Sequence, residues 1–142
     1  MKIYFAGSIR GGRNDQELYE GMIKTLSTFG EVLTEHIGDK NLTINGEQSR
    51  DFYIHNRDMD WVKEADVIVA EVSTPSLGVG YEIGKADEWG KRILCLYRQT
   101  EEGKRLSAMI GGNGRLEIKT YSSLDDIKGI FENFFETSIK RE

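Results

Sequence analysis

Two glycine-bearing loops, a guanidinium and two carboxylates are the groups in this sequence whose types and spacing could do chemistry. The first loop, Gly7-Ser8-Ile9-Arg10-Gly11-Gly12, joins close backbone approach to a hydroxyl donor and a guanidinium fork. Those are the requirements for holding an anionic oxygen near a helix N-terminus. Its glycines match neither a Walker loop nor the G-x-G-x-x-G fingerprint. Taken alone, the segment reads equally well as a tight turn that needs glycine. The second loop, Ser76-Leu77-Gly78-Val79-Gly80-Tyr81-Glu82, again sets a serine and glycines ahead of a helix, with Glu82 expected in its first turn. A carboxylate there complements the helix dipole, and that is the plainer reading. With Val79 at i−3, Ala86 at i+4 and Ile83 adjacent, however, Glu82 borders an apolar stripe and suits a cleft better than open water.

Asp58 interrupts a second apolar row, with Ile54 at i−4 and Val62 at i+4. Asp60 lies about 160° round the same helical wheel, two steps of roughly 100°, and is expected in solvent. A buried aspartate needs a partner or a task. A cap or an ion pair with Arg57 or Arg10 is one reading, and a role in a site is the other. Two carboxylates on separate helices, aimed at one crevice beside an anion-holding loop, suit chemistry at an anomeric carbon. One can trap an oxocarbenium-like centre while the other helps the leaving group depart.

The elements that must position these groups alternate short apolar runs with helical periods, the βα signature of a parallel sheet covered on both faces. Strands are expected at Ile3 to Ala6, Val32 to Thr34, Asp66 to Val72, Ile93 to Tyr97 and Leu116 to Thr120. A helix with Leu18, Met22, Ile23, Leu26 and Phe29 on one stripe should stop at Gly30. Others are expected from Asp51 to Glu64, from Val79 to Trp89 with Gly90 as the stop, briefly over Leu106 to Ile110, and in the tail. The tail carries Leu124, Ile127, Ile130, Phe131, Phe134 and Phe135 at helical spacing. Thr74 to Gly78 reads as a turn. Residues 36–50 are polar and glycine-punctuated, and either a loop over a site or a disordered excursion fits them. The economical architecture is a single-domain α/β chain: a Rossmann-like, doubly wound sheet of about five parallel strands. Such sheets bind ligands beyond the carboxyl ends of their strands, where these loops gather.

Composition narrows the function classes. The 142 residues suffice for one domain with a core of its own. With 38% hydrophobic and 30% charged residues the chain is not of the disordered class. A net charge of −5 argues against a broad nucleic-acid surface, while leaving room for a local basic pocket. Its single cysteine, Cys95, cannot form an internal disulfide, and the apolar runs are far too short for a membrane span. The first strand pattern begins at the N-terminal methionine with no signal-peptide pattern, so a cytoplasmic location is expected. Cys95, Trp61 and Trp89 read as packing residues, His55 as a surface or site residue alike, and Lys91-Arg92 as solvated charge.

Several blocks resemble, in order, one family: Tyr4-Phe5 with Gly7-Ser8-Ile9-Arg10-Gly11-Gly12, then Val32-Leu33-Thr34-Glu35-His36, then Ile54-His55 with Asp58. The likeness continues through Ala65 to Val72, Pro75 to Glu82 and Leu106-Ser107-Ala108-Met109-Ile110. The family is the 2′-deoxynucleoside 5′-phosphate N-hydrolases, within the nucleoside 2-deoxyribosyltransferase superfamily. The resemblance implies cleavage of the N-glycosidic bond of a deoxynucleoside monophosphate, without a cofactor or metal, giving free base and 2-deoxyribose 5-phosphate. It implies that Glu82 is the nucleophile of a covalent deoxyribosyl intermediate, that Asp58 assists base departure, and that Tyr4 positions the nucleophile. Ser8, Arg10, Ser76 and Gly78 match the phosphate cradle, with Gly7, Ile9 and Gly11 as substrate-binding positions of the same loop. Ser107 matches a serine reaching the phosphate from the neighbouring subunit of a homodimer, and His36 and Met109 match the base pocket. Glu82 is expected to stay ionised under the helix dipole. The segment from Gly38 to Glu47 departs from the family pattern, as does the C-terminal helix. A deoxyribosyltransferase, passing the sugar to a second base, and a non-catalytic nucleotide sensor are the competing readings.

Overall fold

The computed structural model describes residues 1–8, 15–34, 51–99 and 105–141, with only the backbone described beyond residue 137. Ile9, Arg10, Gly11, Gly12 and His36 therefore lie outside the described residues. The elements in chain order are β1 (Lys2–Ala6), α1 (Gln16–Leu26), β2 (Glu31–Val32), α2 (Asp51–Glu64), β3 (Val67–Glu71) and α3 (Leu77–Glu88), followed by β4 (Arg92–Arg98), α4 (Ala108–Gly111), β5 (Glu117–Tyr121) and α5 (Leu124–Arg141). All strand pairs are parallel and the sheet order is β2-β1-β3-β4-β5. The chain steps outward from β1 to β2 and then returns across β1 to β3. Right-handed crossovers in opposite directions put helices on opposite faces. The crevice at that reversal, between the carboxyl ends of β1 and β3, is where doubly wound sheets bind ligands.

The pleat decides which side chain meets which helix layer, because successive strand residues face opposite ways. Ile3 and Phe5 join Val67, Val69, Leu94 and Leu96 under α1 and α5. Tyr4 and Ala6 join Ile68, Ala70, Ile93 and Cys95 under α2 and α3. Each large side chain fully buried this way contributes about 1.5–3 kcal/mol, so these two apolar layers dominate the fold's stability. Tyr4 is thereby turned toward the helices that carry Asp58 and Glu82.

Three local features differ from the sequence expectation. β2 pairs for only two residues, because Thr34 completes the edge with its side chain. Its Oγ1 accepts from the Phe5 N–H at 2.9 Å and donates to the Phe5 carbonyl at 2.6 Å. Gly30 does not end α1 through a left-handed turn. Its backbone passes so close to Met1 that a Cβ would sit 2.3 Å from the Met1 carbonyl oxygen. The left-handed glycine is Gly90, at φ 74°. There Lys91 N–H reaches the Ala86 carbonyl at 2.9 Å and Gly90 N–H the Asp87 carbonyl at 3.0 Å, a Schellman closure of α3. Finally, Lys91 and Arg92 are not solvated charges. Lys91 Nζ donates to the carbonyls of Lys63 and Ala65, capping α2, and Arg92 stacks on Phe134 at 4.0 Å while pairing with Glu117.

Candidate active site

At the β1–β3 crevice, three elements converge. β1 supplies Tyr4, fully buried in the α2/α3 layer. α2 supplies Asp58, which is half-buried, while Val62 on the same row is buried and Asp60 is exposed as expected. α3 supplies Glu82, flanked by buried Val79, Ile83 and Ala86. Burial, then the charges of Glu82 and Asp58, hold the Tyr4 phenol well above its ordinary titration range. It stays protonated and hydrogen-bonds to the Glu82 carboxyl group.

Glu82 is the unusual member. One carboxyl oxygen, Oε2, is fully enclosed and has no hydrogen-bond partner among the described residues. An orphaned buried carboxyl oxygen is costly in a native fold. Burial pushes the Glu82 pKa up to about 8, the Tyr4 hydrogen bond opposes that rise, and the Asp58 charge adds to it. This corrects the expectation of a carboxylate kept ionised by a helix dipole. α3 begins at Leu77, not at Val79, so no acidic residue lies in its first turn. The dipole's influence fades within that turn, and desolvation wins.

The start of α3 explains the shift in boundary. Ser76 is its N-cap, and its hydroxyl accepts from the Val79 N–H at 3.2 Å. Gly78 is inside the helix and not in a turn, facing the site: a Cβ there would lie 3.9 Å from Ser76 Oγ and 4.0 Å from Glu82 Oε1. Ser76, Gly78 and Glu82 thus line one wall. Gly7 and Ser8, both buried, follow the end of β1, and a Gly7 Cβ would press into the Tyr19 ring at 3.0 Å. Ser107, the N-cap of α4, and Met109 within it stand elsewhere. The Ser107 hydroxyl accepts from Met109 N–H at 3.3 Å, and Met109 is 83% exposed.

Partners that could not be chosen from the sequence now appear. Asp58 takes Arg57 Nε at 3.0 Å and Nη2 at 2.9 Å on Oδ1. The guanidinium is oriented by stacking, 5.7 Å from Tyr53 and 4.7 Å from Trp61, one turn to either side on α2. That i, i+4, i+8 spacing of aromatic, arginine and aromatic is readable in the sequence; Arg10, the other cation weighed as a partner, lies outside the described residues. His55 Nε2 lies 3.0 Å from Tyr81 Oη and joins α2 to α3 one residue before Glu82. A groove of about 440 Å³ also runs along α2, lined by Phe52, Tyr53, Arg57 and Trp61 among others, but neither Tyr4 nor Glu82 borders it.

The family model for nucleoside 2-deoxyribosyltransferases matches residues 3–117. The chain belongs to that family. Among relatives of this deoxyribosyltransferase-family chain, a protein of Tetraodon nigroviridis named 5-hydroxymethyl-dUMP N-hydrolase is 50% identical over 95% of this chain and 97% of its own length. The human protein of the same name is 46% identical over 94% of this chain and 79% of its own. A Nematostella vectensis relative, named putative 2′-deoxynucleoside 5′-phosphate N-hydrolase 1, is 52% identical over 94% and 93%. The fold is shared with a 2-deoxyribosyltransferase from Bacillus psychrosaccharolyticus at a TM-score of 0.64 and 15% identity, each chain covered to 90%. A Clostridium botulinum CMP N-glycosidase superposes with a TM-score of 0.65 at 19% identity, covering 94% and 99%. Among the described residues, no helix of this family member is long and apolar enough to cross a membrane.

Proposed function

We propose that the chain hydrolyses the N-glycosidic bond of 2′-deoxynucleoside 5′-monophosphates, and that 5-hydroxymethyl-dUMP is the first substrate to try. The names of near-full-length relatives at 46–52% identity support the substrate class. The observation that carries the mechanism is the enclosed, unpartnered oxygen of Glu82 beside the Tyr4 phenol. In the first step the Glu82 carboxylate bonds to C1′ as the C1′–N bond breaks and its electron pair leaves with the base. Asp58 assists that departure, and the departing base takes up a proton from solvent, which balances the proton released in the second step. In the second step water adds to C1′, the ester bond breaks, and Glu82 recovers its carboxylate while the proton of the water passes to solvent. Ser8, Ser76 and Gly78, with Arg10 and its loop, hold the 5′-phosphate. Binding energy spent there orients a sugar whose reacting atom is remote from it.

Base release from a panel of deoxy- and ribonucleoside monophosphates tests the reading, together with mass spectrometry of an acid-quenched reaction. Expected are free base, 2-deoxyribose 5-phosphate, and a deoxyribosyl phosphate adduct on the peptide bearing Glu82. Adding adenine to a dGMP reaction separates this from transfer, because a dAMP product marks a transferase. Tight nucleotide binding with no base released over hours marks a sensor, and either result overturns hydrolysis.

A nucleophile with a pKa pushed up to about 8 has a directional signature. Glu82 is mainly protonated below that value, so kcat/KM should climb roughly tenfold per pH unit in acid and level above about pH 8. A profile flat from pH 5 to 9 contradicts the assignment.

We also propose a homodimer in which Ser107 reaches the partner's phosphate site. In support, large apolar residues are exposed on three neighbouring elements: Phe52 and Tyr53 on α2, Leu77 and Tyr81 on α3, and Met109 on α4. Mixing inactive Glu82→Ala and Ser107→Ala proteins should restore part of the activity through hybrid dimers. No recovery after subunit exchange argues against shared sites.

A further inference from the structure

A second polar cluster lies at the carboxyl edge of the sheet, outside the carboxylate site. Glu71, the last residue of β3, is a buried carboxylate with a relative exposure of 1%. Its Oε1 accepts from the Ser73 N–H at 2.7 Å, and its Oε2 from Ser73 Oγ at 2.8 Å and from the Tyr121 hydroxyl at the end of β5. Ser73 Oγ in turn accepts from the N–H of Arg98, the last residue of β4, at 2.8 Å. The ends of three strands are thus laced to one carboxyl group.

From that platform the Arg98 guanidinium reaches across to α1. Nη1 lies 2.9 Å from Asp15 Oδ1 and Nη2 donates to Asp15 Oδ2 at 3.1 Å, a two-pronged pair. Asp15 stands at the N-cap of α1, where aspartate is among the best caps, yet it makes no capping bond. Its carboxylate is committed to β4 instead. One turn later Tyr19 covers Gly7, so closely that a Cβ on Gly7 would meet its ring at 3.0 Å. The amino end of α1 is therefore fixed twice, by Tyr19 against the end of β1 and by Asp15 against the end of β4. Buried Ser8 follows Gly7 directly. A helix N-terminus set beside a buried hydroxyl at the crevice holds an anion well only if its place is fixed.

We infer that Arg98 is a positioning residue for the substrate's 5′-phosphate: by gripping Asp15 it fixes the amino end of α1 relative to Ser8, without touching the phosphate itself. This rests on the hydrolase reading above. Because Arg98 is matched by Asp15, it is not a free cation offered to substrate.

Steady-state kinetics with 5-hydroxymethyl-dUMP, and inhibition by inorganic phosphate, test the inference on the full chain. Arg98→Ala and Asp15→Asn should each raise KM, and the Ki of phosphate, by about tenfold with kcat within about twofold. The Arg98→Ala/Asp15→Asn double variant should be no worse than either single one, since both break one pair. Arg98→Lys should recover part of the affinity. If Arg98 bound the phosphate directly, Asp15→Asn would release it and lower KM, which overturns the inference. So does a fall in kcat with KM unchanged, the mark of a merely structural role. Should Arg98→Ala fail to fold, Asp15→Asn and Arg98→Lys carry the same readout. A wild-type protein that releases no base overturns the hydrolase reading itself, whereas an active one whose variants keep normal KM overturns only this inference.

Discussion

Glu82→Ala should lower kcat by on the order of 10³ or more, the size of loss expected when a covalent nucleophile is removed. The drop must come without unfolding, and the structure says why it can. Glu82 carries an enclosed oxygen with no partner among the described residues, so removing the carboxyl group relieves that cost, which offsets the loss of its hydrogen bond with the buried Tyr4 phenol. Glu82→Gln sharpens the point. A carboxyl group whose folded pKa lies near 8, against an ordinary value of 4.5, is protonated in the native state while the unfolded chain ionises. The wild type therefore loses stability as pH rises from about 4.5 to about 8, and glutamine has no such loss. Melting temperatures should converge near pH 4 and separate by pH 8, with Glu82→Gln the higher. Near-normal turnover in a folded Glu82→Ala or Glu82→Gln variant removes Glu82 as the nucleophile.

Asp58→Asn should cost about 10²-fold in kcat, within the usual range for a group assisting a leaving group. It also carries a second, independent signature. The Asp58 charge is one of the influences raising the Glu82 pKa, so neutralising it should move the midpoint of the pH–rate profile downward from about 8. Burial is the larger cause and remains, so the midpoint should stay well above an ordinary carboxylate's. Arg57 also stacks on Tyr53 and Trp61 on either side, contacts that the substitution leaves in place. A lowered rate with an unmoved midpoint would separate Asp58 from Glu82 electrostatically and leave it only an orienting part.

What could be read from the sequence, and what could not, divides by the range of the forces involved. β1, β3 and β4 are continuous apolar runs, and α2 was readable to its ends, because strand parity and helix periodicity are local. Local pattern also placed Asp58 and Glu82 at one crevice. The start of α3 differs from the expectation because Pro75-Ser76-Leu77-Gly78 looks like a turn, whereas Ser76, three residues before Val79, is the helix's cap. The protonation of Glu82 is set by its burial, which local pattern does not reveal and which outweighs a helix dipole. Lys91 and Arg92 looked solvated because their partners are carbonyls and side chains 25 to 42 residues away in sequence. Glu71 was visible only as a charge inside an apolar strand. Its demand for partners was foreseeable, but Tyr121, 50 residues on, was not.

The alternation of Tyr4 with its neighbours Ile3 and Phe5 has an evolutionary corollary. Deleting or inserting a single residue in β1 would exchange the two layers, withdrawing the phenol from Glu82 and thrusting an isoleucine or phenylalanine in its place. Reading frame in that strand is thus constrained twice over, by hydrophobic packing and by chemistry. Length variation among descendants of this chain should fall between strands, never within the first one.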